Sequence, residues 1–219
     1  NRHHIFVVEN MTTIYIQPDG TIIRHDGTAV PQISVSMVDG VYTYTFTNNL
    51  SETIMVQRNN IVIDGNGYTL QGPESVFGFF LFGRSGVTIK NVIIKWWSYG
   101  IYLWASSGNT ISGNTITNNN YGIYLDWCGG NTISGNTITN NNWYGILLMW
   151  SSGGNIISGN TITNSYYGIY LGMSGGNTIS GNTITNNYFG IILAGSSGNT
   201  ISGNNITNNG TGVYPAAFS

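Results

Sequence analysis

The chain has 219 residues, of which 6% are charged, and its net charge is −2. Soluble domains ordinarily carry about a quarter charged residues, and the absence of a basic patch argues against a nucleic-acid partner. No apolar run reaches the roughly 18 residues of a membrane-spanning helix, so no membrane span is predicted.

Residues 1–60 contain no repeat and alternate short apolar runs with turn residues. Apolar alternation over residues 14–16, 33–38 and 41–47, separated by Pro-Asp-Gly and Asp-Gly turns, predicts short β-strands. Because a solenoid needs a polar cap at its end, we predict an N-terminal strand and β cap in residues 1–60 and a solenoid in residues 61–219.

One phrase then recurs along the chain. Gly-Asn-Thr-Ile-Ser-Gly-Asn-Thr-Ile-Thr begins at Gly108 and returns, nearly unchanged, at Gly130, Gly154, Gly176 and Gly198, so successive copies start 22 or 24 residues apart. The phrase is poor in helix formers and its apolar residues alternate, which favours three short strands separated by Gly and Asn corners. Such a period indicates a stacked unit. The predicted fold is all-β: a right-handed, single-stranded parallel β-helix with three strands in each coil of about 22 residues.

In each coil about four aliphatic side chains are predicted to face the core. In the coil after Gly108 these residues are Ile111, Ile116, Ile123 and Leu125. Each contributes roughly 1.5–3 kcal/mol when fully buried, which is too little for one coil to fold alone against its backbone entropy. Stacked coils are therefore required.

Asparagines also recur once per coil at one corner. Their amides can hydrogen-bond up and down the axis and satisfy corner backbone groups. We predict such a structural ladder through Asn118, Asn140, Asn164, Asn186 and Asn208.

Aromatic residues recur in the third strand. In the phrase Gly-Ile-Tyr-Leu the Tyr should face outward, because its neighbours face inward. The predicted aromatic stripe comprises Phe80, Tyr102, Tyr124 and Tyr170, with Trp104, Trp127 and Trp150 beside them. The tyrosines that precede the corner glycine, such as Tyr99, are not assigned to a side. An exposed stripe is typical of an interaction surface, here for lateral packing or for stacking on a glycan; stacking that merely stabilises the coils is the third possibility.

The two ends of the solenoid differ. An apolar strand at the N-terminus has no place in the repeat, whereas no cap follows the last coil. An open edge and a spare strand together predict head-to-tail stacking of copies of this chain into a homopolymer. The residues predicted to meet are Ile5, Phe6, Val7 and Val8 at one end and Val213 and Tyr214 at the other. The alternatives are a terminal β-bridge within one chain and a chain cut short of its cap.

Acidic residues for catalysis are scarce. A glycosidase needs two carboxyl groups roughly 5–10 Å apart, but Asp126 is the only charged residue after Lys95. Asp64 and Glu74 could meet near the first coil, although carboxylates on turns are usually solvated. No catalytic residue is assigned, and the chain is predicted not to be an enzyme.

Metal ligands do not converge in the sequence, and no metal or cofactor is predicted. His3, His4 and His25 all lie in the cap region, and the methionines are scattered. A free amino terminus at Asn1 followed by His3 could hold Cu(II) in a square plane, a motif that arises by chance in many proteins. Cys128 is the only cysteine, which excludes an intrachain disulfide and favours a small packing residue.

Four acceptor sites for N-glycosylation occur, at Asn10, Asn49, Asn205 and Asn209. The chain begins with Asn and shows no signal peptide. We therefore predict a processed, exported chain, located outside the cell or on its surface.

The repeats resemble those of the NosD-like parallel β-helix proteins, especially large secreted or surface members from archaea. The resemblance rests on Asp-Gly-Asn-Gly-Tyr-Thr-Leu from Asp64, on Gly-Val-Thr-Ile-Lys-Asn from Gly86, and on the repeated Gly-Asn-Thr-Ile-Ser with Tyr-Gly-Ile-Tyr-Leu. It covers the chain from about Thr13 onward. It implies a right-handed parallel β-helix, a link to copper-enzyme maturation, and relatives that bind or cleave polysaccharides.

Together these observations predict a non-enzymatic, extracellular structural β-solenoid that assembles head to tail into a filament or surface scaffold and carries N-linked glycans. The alternative is a carbohydrate-binding surface module that uses the aromatic stripe. A polysaccharide lyase or hydrolase and a copper-binding protein rank below both.

Overall fold

The structure, a computed structural model, describes residues 13–74 and 76–216. These residues form 26 β-strands and no helix, arranged as a parallel β-solenoid of about 8 turns. The predicted fold class, an all-β parallel β-helix with three-strand coils and an N-terminal β cap, is confirmed. In the described part of the chain, no helix is long and apolar enough to cross a membrane.

The strands before the regular repeat are β1 (Thr13–Ile16), β2 (Ile22–Arg24), β3 (Ile33–Val38), β4 (Val41–Phe46), β5 (Thr53–Val56), β6 (Ile61–Asp64), β7 (Thr69–Gln71) and β8 (Phe77–Phe82). The next coils contain β9 (Val87–Lys90), β10 (Ile93–Lys95), β11 (Tyr99–Trp104), β12 (Thr110–Ser112), β13 (Thr115–Thr117), β14 (Tyr121–Asp126), β15 (Thr132–Ser134), β16 (Thr137–Thr139) and β17 (Tyr144–Met149). The last coils contain β18 (Ile156–Ser158), β19 (Thr161–Thr163), β20 (Tyr167–Gly172), β21 (Thr178–Ser180), β22 (Thr183–Thr185), β23 (Phe189–Ala194), β24 (Thr200–Ser202), β25 (Asn205–Thr207) and β26 (Thr211–Ala216).

Corresponding strands of successive coils stack into three sheets. Sheet A has 10 strands and contains the long strand of each coil, such as β11, β14 and β17. Sheet B has 9 strands, including the Thr-Ile-Ser segment β12, and sheet C has 7 strands, including the Thr-Ile-Thr segment β13. Ile111 pairs in register with Ile133, and Ile116 with Ile138. Identical side chains therefore lie above one another along the axis.

The core enclosed by the three sheets consists mainly of aliphatic side chains, with a few buried aromatic residues such as Phe79 and Trp97. Ile111, Ile116, Ile123 and Leu125 of one coil are each at most 1% exposed, as the sequence predicts. Branched Ile suits these positions because it packs well on a pleated surface. Since the contacts that bury each coil come from the coils above and below, the stability of a coil depends on its neighbours.

Buried asparagines connect the coils at three corners. In one coil these are Asn109, Asn114 and Asn119, each at most 2% exposed. The Oδ1 atom of Asn136 on the next coil accepts hydrogen bonds from both the backbone N and the Nδ2 of Asn114, each at 3.0 Å. The Asn114 Nδ2 also donates to the Ile89 carbonyl at 3.0 Å. Corner backbone groups that no strand pairs are satisfied in this way.

The predicted asparagine ladder is therefore wrong by one residue. The residues assigned to it are exposed and have φ between 56° and 58°: Asn118, Asn140, Asn164, Asn186 and Asn208. A left-handed residue reverses the chain direction at the corner, and here the residue after it faces inward. The ladder consequently passes through Asn119, Asn141, Asn187 and Asn209, with Ser165 in place of asparagine in one coil. Gly113 takes the left-handed position before Asn114.

A further buried ladder, at the corner after sheet A, uses serine hydroxyls and one thiol. The Cys128 Sγ accepts from the Ser106 backbone N at 3.3 Å, and the Cys128 backbone N donates to the Ser152 Oγ at 3.0 Å. Burial raises the pKa of the Cys128 thiol to about 11, so it stays protonated and unreactive at neutral pH. Cys128 is thus a packing residue in a serine position.

Antiparallel strands cover the N-terminal end. β2 pairs with β1 at the edge of sheet A, and β3 pairs with β4 at the edge of sheet B. The buried Tyr44 of β4 donates its hydroxyl to the Gly20 carbonyl at 2.9 Å, which ties the two hairpins together. Parallel pairing already begins between β1 and β5 and between β4 and β6. The domain boundary between residues 60 and 61 stays a prediction.

The other end of the described solenoid is open. Beyond β24, β25 and β26 no described strand extends the three sheets. Val213 and Tyr214 are consequently 42% and 51% exposed, whereas Ile191 and Ile192, which precede them in the same register, are buried. The strand predicted to meet this end, Ile5, Phe6, Val7 and Val8, lies outside the described residues.

Candidate functional site

Aromatic rings line the outer face of sheet A. In β11 the side chains of Tyr99 and Tyr102 are partly exposed, while Ile101 is buried. Gly100 is buried too, so two consecutive residues face the core and the simple alternation breaks there. A Cβ on Gly100 would lie 2.7 Å from the Gly122 carbonyl oxygen. Glycine at this position therefore allows the preceding ring to lie on the outer face.

The tyrosines that the sequence leaves unassigned form the first column of this face. In register it comprises Phe77, Tyr99, Tyr121, Tyr144, Tyr167 and Phe189. From Tyr99 to Phe189, neighbouring rings stack with 4.7–5.2 Å between centroids and 11–17° between planes. Each such pair adds about 0.5–1.5 kcal/mol beyond its area burial. Part of the aromatic face thus stabilises the solenoid.

The aromatic stripe of the sequence analysis supplies the second column. Its members in register are Phe80, Tyr102, Tyr124, Leu147, Tyr170, Ile192 and Tyr214. Tyr102 and Tyr124 stack with 4.8 Å between centroids and 15° between planes. The column is interrupted where Leu147 and Ile192 replace an aromatic ring.

Ring stacking decides which surface a ligand can reach. The spacing of the stacked rings equals that of neighbouring strands, about 4.8 Å, so these rings cover one another's faces and present their edges to solvent. At Leu147 the stack ends, and no aromatic ring of the second column covers the adjacent face of Tyr124. On the far side Tyr170 is turned by 86° relative to Tyr144. The break in the column is therefore where ring faces become accessible.

A depression of about 220 Å³ lies over this break. It is lined by Tyr99, Tyr121, Tyr124, Tyr144, Leu147, Met149 and Tyr170. Leu147 is 5% exposed, so the shortest side chain of the group forms the floor. The volume is below the roughly 300–1,000 Å³ of sites for drug-sized ligands. It suits a single ring-sized group.

One charged residue, Asp126, neighbours two of the lining residues without lining the depression itself. Asp126 follows Tyr124 by two residues on the same face of β14 and pairs in register with Met149. Its Oδ2 accepts a hydrogen bond from the Tyr102 hydroxyl at 3.3 Å, whereas its Oδ1 is buried without a partner among the described residues. Burial raises the pKa of Asp126, and the hydroxyls of Tyr102 and Tyr124 oppose this shift only in part. The carboxyl group is thus an incompletely satisfied acceptor.

The tyrosine hydroxyls around Asp126 stay protonated. Burial raises the pKa of Tyr102 and Tyr124, and the charge of Asp126 raises both further. Burial also raises the pKa of Tyr144 to about 12. At neutral pH each phenol can therefore donate as well as accept a hydrogen bond.

The tryptophans of the predicted stripe lie at its margin. Trp104, at the end of β11, contacts Phe82 with 4.8 Å between ring centroids. Trp127 and Trp150 are exposed in the turns that follow sheet A, each with a positive φ. None of the three lines the depression.

A further exposed stack precedes sheet A and was missed from the sequence. It consists of Trp143, Tyr166 and Tyr188, of which Tyr166 and Tyr188 stack with 4.8 Å between centroids and 9° between planes. Each immediately precedes a ring of the first column. The aromatic dipeptides Trp-Tyr, Tyr-Tyr and Tyr-Phe were the signal that could have revealed it.

The structure does not join the carboxylates that the sequence considered for catalysis. Asp64 forms an ion pair with Lys90, with 3.2 Å between Oδ2 and Nζ, and also accepts from the Asn91 side chain. Glu74 is exposed in a turn. Asp64 therefore has a structural partner of its own.

The predicted glycosylation sites differ in their surroundings. Asn49 and Asn205 are exposed and stay predictions, and Asn10 lies outside the described residues. Asn209 belongs to the ladder: its Oδ1 accepts from the Asn187 backbone and its Nδ2 donates to the Ile184 carbonyl at 2.8 Å. A glycan on Nδ2 would disrupt that bond, so Asn209 is a poor attachment point.

A second depression, of about 320 Å³, lies in the cap and is lined by Tyr15, Gln17, Ile23, Arg24, His25, Gly27 and Gln57. The Arg24 guanidinium is already paired with Glu52 at 2.8 Å. The Tyr15 hydroxyl lies 3.4 Å from the His25 ring nitrogen Nδ1. These internal contacts leave the tyrosine face as the stronger candidate.

Copper, which the NosD resemblance raises, requires converging imidazole, thiol or thioether groups. Within residues 13–74 and 76–216, no three His, Cys, Asp or Glu side chains come together. Cys128 is fully buried, and its Sγ is engaged by backbone groups. The described residues do not fit a copper site, and His3 and His4 lie outside them.

Several solved structures share this fold. The periplasmic alginate epimerase AlgG is 18% identical, with a TM-score of 0.59 over 81% of this chain and 49% of that chain. The A-module of the Azotobacter vinelandii mannuronan C-5 epimerase AlgE4 is 14% identical, with a TM-score of 0.62 over 81% of this chain and 57% of that chain. The enzymatically active domain of bacteriophage CBA120 tailspike protein 2 is 13% identical, with a TM-score of 0.56 over 80% of this chain and 38% of that chain. This chain thus spans 38–57% of those proteins, and at such identities the likeness concerns the fold.

These structures contradict the prediction that the chain is not an enzyme. That prediction rested on the scarcity of carboxylates after Lys95. Two epimerases and an enzymatically active tailspike domain nevertheless share the solenoid fold. A face with protonated phenols and one partly buried carboxyl group contains side-chain types that serve as general acids and bases, so scarcity of charge does not exclude catalysis.

The sequence itself matches no curated protein. The family model described as periplasmic copper-binding protein (NosD) matches residues 53–219. That span begins at β5 and includes every residue that lines the tyrosine depression. The archaeal source that the resemblance implies stays a prediction. On this match over most of its length and on its parallel solenoid, the chain belongs to the NosD family.

Proposed function

We propose that this chain binds a polysaccharide on the outer face of sheet A, with one sugar ring seated over Leu147. The observation that carries the proposal is the break in the second column, which opens a depression of about 220 Å³ among tyrosine rings. A sugar presents both C–H groups, which pack on aromatic faces, and hydroxyls, which hydrogen-bond to phenol groups. Alginate and mannuronan, named in two of the similar structures, are polysaccharides, which supports this ligand class.

The direction of the face suits an extended ligand. Coils rise about 4.8 Å each, so a polysaccharide lying along the axis would pass over successive rings of both columns. The unit at Leu147 would meet uncovered ring faces in the depression next to Asp126, whereas Ile192, the other interruption of the column, lies outside the depression.

Leu147→Tyr tests this proposal, because it restores the ring that most copies carry and fills the depression. We expect polysaccharide affinity to fall at least about tenfold, the loss typical of blocking a binding hot spot. Ile192→Tyr is the matched control: it makes the same kind of change in the same column, outside the depression. Affinities would be measured by calorimetry against oligosaccharides selected on a glycan array.

The two variants together make the outcome unambiguous. Equal affinity in Leu147→Tyr and the parent chain would refute binding at this depression, and an equal loss in both variants would indicate a general effect on the face. The same incubations, followed by mass spectrometry and NMR of the oligosaccharides, would report cleavage or epimerisation. Two of the similar structures with this fold are epimerases.

A location outside the cytoplasm is part of the proposal. The family description, periplasmic, supports it. The extracellular or surface placement and N-linked glycans at Asn49 and Asn205 belong to the same proposal, since exposed asparagines there could carry a glycan without breaking a ladder bond.

Head-to-tail stacking into a filament or scaffold is the second candidate. Asn199, Asn204 and Asn209 each accept a hydrogen bond from the preceding coil, and no described coil lies beyond them to continue the ladder. The exposed Val213 lies in the same coil. An added coil could bury this side chain and extend all three sheets.

A further inference from the structure

The tyrosine face carries no positive charge. After Lys95 the chain contains no Lys, Arg or His, and Asp126 is its only charged residue there. A ligand over Leu147 is therefore surrounded by neutral side chains and one carboxyl group.

The cations that the structure describes are engaged elsewhere. Their contacts are Arg24 with Glu52, Arg58 with the Tyr42 ring, Arg84 with the Gln57 carbonyl, Lys90 with Asp64, and Lys95 with the Trp96 ring. None belongs to β14, β17 or β20, which supply most of the lining. A carboxylated sugar in the depression would lose water without gaining a cationic partner, which is strongly unfavourable.

Asp126 gives a second reason for the site to disfavour a carboxylated sugar. Asp126 itself does not line the depression, but it pairs in register with Met149 and lies two residues after Tyr124, both of which do. Like charges brought together at a site cost several kcal/mol. A hydroxyl group on the ligand, in contrast, is a donor for an acceptor whose Oδ1 atom has no partner among the described residues. Met149, the flexible register partner of Asp126, lines the depression and can shift to admit such a donor.

In an inference that rests on the proposed function, we propose that the depression over Leu147 selects neutral sugars and rejects uronates, with Asp126 as the residue that sets this specificity. The ligand class then differs from alginate and mannuronan, whose rings each carry a carboxylate. The chain would share the solenoid of the epimerases but bind an uncharged polymer.

Matched ligand pairs test the inference. Hexasaccharides of β-1,4-mannan and β-1,4-mannuronan differ only in a hydroxymethyl or carboxylate group on each ring, and glucan and glucuronan hexasaccharides form a second pair. Affinities for each pair would be measured for the parent chain, Leu147→Tyr, Asp126→Asn and Asp39→Asn. Asp39 lies in an exposed turn of the cap, so its variant controls for a general change in net charge.

We expect the parent chain to bind at least one neutral hexasaccharide at least about tenfold more tightly than its uronate counterpart, and Leu147→Tyr to remove that binding. Asp126→Asn should reduce the difference in affinity between the neutral hexasaccharide and its uronate counterpart, while Asp39→Asn should leave that difference unchanged. Because burial raises the pKa of Asp126, a neutral Asn is expected to fold at least as stably at neutral pH. Circular dichroism of each variant would verify this.

The possible failures are distinct. Uronate binding that depends on Leu147 and equals or exceeds binding of the neutral partner would overturn the inference and leave the polysaccharide site intact. An unchanged preference in Asp126→Asn would overturn the role of that residue. If no member of either pair bound in a manner that depends on Leu147, the proposed function and the inference would both fall.

Discussion

At the scale of single residues, side-chain amides replace backbone pairing at the corners of the coils. Asn136 shows the arrangement: its Oδ1 accepts from the Asn114 backbone and side chain at 3.0 Å, and its Nδ2 donates to the Ile111 carbonyl at 2.9 Å. The Nδ2 also donates to the Asn160 Oδ1 at 3.0 Å. Because these groups are buried, each bond lost leaves an unsatisfied donor or acceptor away from water.

Asn136→Ala should therefore lower the free energy of unfolding by about 3 kcal/mol, since it orphans several buried polar groups at about 1–3 kcal/mol each. Asn142→Ala is the control, because Asn142 is exposed and makes one side-chain bond, to Asn120. Its effect should stay within about 0.5 kcal/mol. Urea denaturation followed by circular dichroism measures both; equal losses would contradict the structural role of the buried ladder.

The sequence predicts an asparagine ladder but not which asparagine forms it. Asn118 and Asn119 are adjacent and chemically identical, and either could stack with its equivalents one period later. What separates them is the left-handed φ of 56° at Asn118. The pairs Gly108–Asn109 and Gly113–Asn114 contained the clue, because at those corners the left-handed position belongs to glycine and the ladder position to the residue that follows.

At the scale of the strand, the long strand of each coil depends on a glycine on its inner side. In β14 a Cβ on Gly122 would lie 2.5 Å from the Gly145 carbonyl oxygen of the next coil. The obstacle is backbone, which cannot move without disturbing sheet A. Gly135 presents the opposite case: its φ is 62°, and a Cβ there would meet nothing within 4 Å.

Gly122→Ala should accordingly destabilise the fold by about 2–3 kcal/mol through overpacking. Gly135→Ala should cost only about 1 kcal/mol, the penalty of placing an L-residue in the left-handed region. Thermal unfolding of the two variants provides the comparison. A larger loss for Gly135→Ala would show that corner conformation, and not close approach in sheet A, limits the long strand.

The same glycine explains what the sequence could not reveal about the aromatic face. Strict alternation places Tyr102 outward because Ile101 and Leu103 face inward, and the structure agrees. Tyr99 lies on the outer face only because Gly100 and Ile101 both face the core. Strict alternation never places two consecutive residues in the core, so the first column and the depression beside it could not be derived from the sequence.

At the scale of the whole molecule, each coil contacts only its neighbours, so an uncovered coil is the weak point of the array. If copies of this chain stack head to tail, the mass in solution should rise with concentration, and Val213→Asp should abolish the increase by placing a charge at the contact. Met173→Asp, an exposed position on a lateral turn, is the control. Light scattering after size-exclusion chromatography measures the mass. A single mass at every concentration would contradict stacking.

The fold was predictable at this scale and the function was not. A period of 22–24 residues specifies a solenoid because identical units must stack on identical units. Chemistry depends instead on the positions that differ between copies. Leu147 replaces the Tyr124 of the preceding coil, and Met149 replaces its Asp126. Counting charged residues led to the wrong prediction of a non-enzyme because it ignored neutral groups and burial.

The break at Leu147 has a consequence for any ligand that is itself periodic. On a uniform ladder of rings, a polymer could shift by one unit and find the same surroundings, so no single alignment would be preferred. Leu147 and Ile192 both interrupt the column, but only Leu147 lies in the coil next to that of Asp126, so the surroundings of Leu147 occur once along the face. One alignment of the polymer then differs from all others, so the solenoid can bind a periodic polymer in a single defined register.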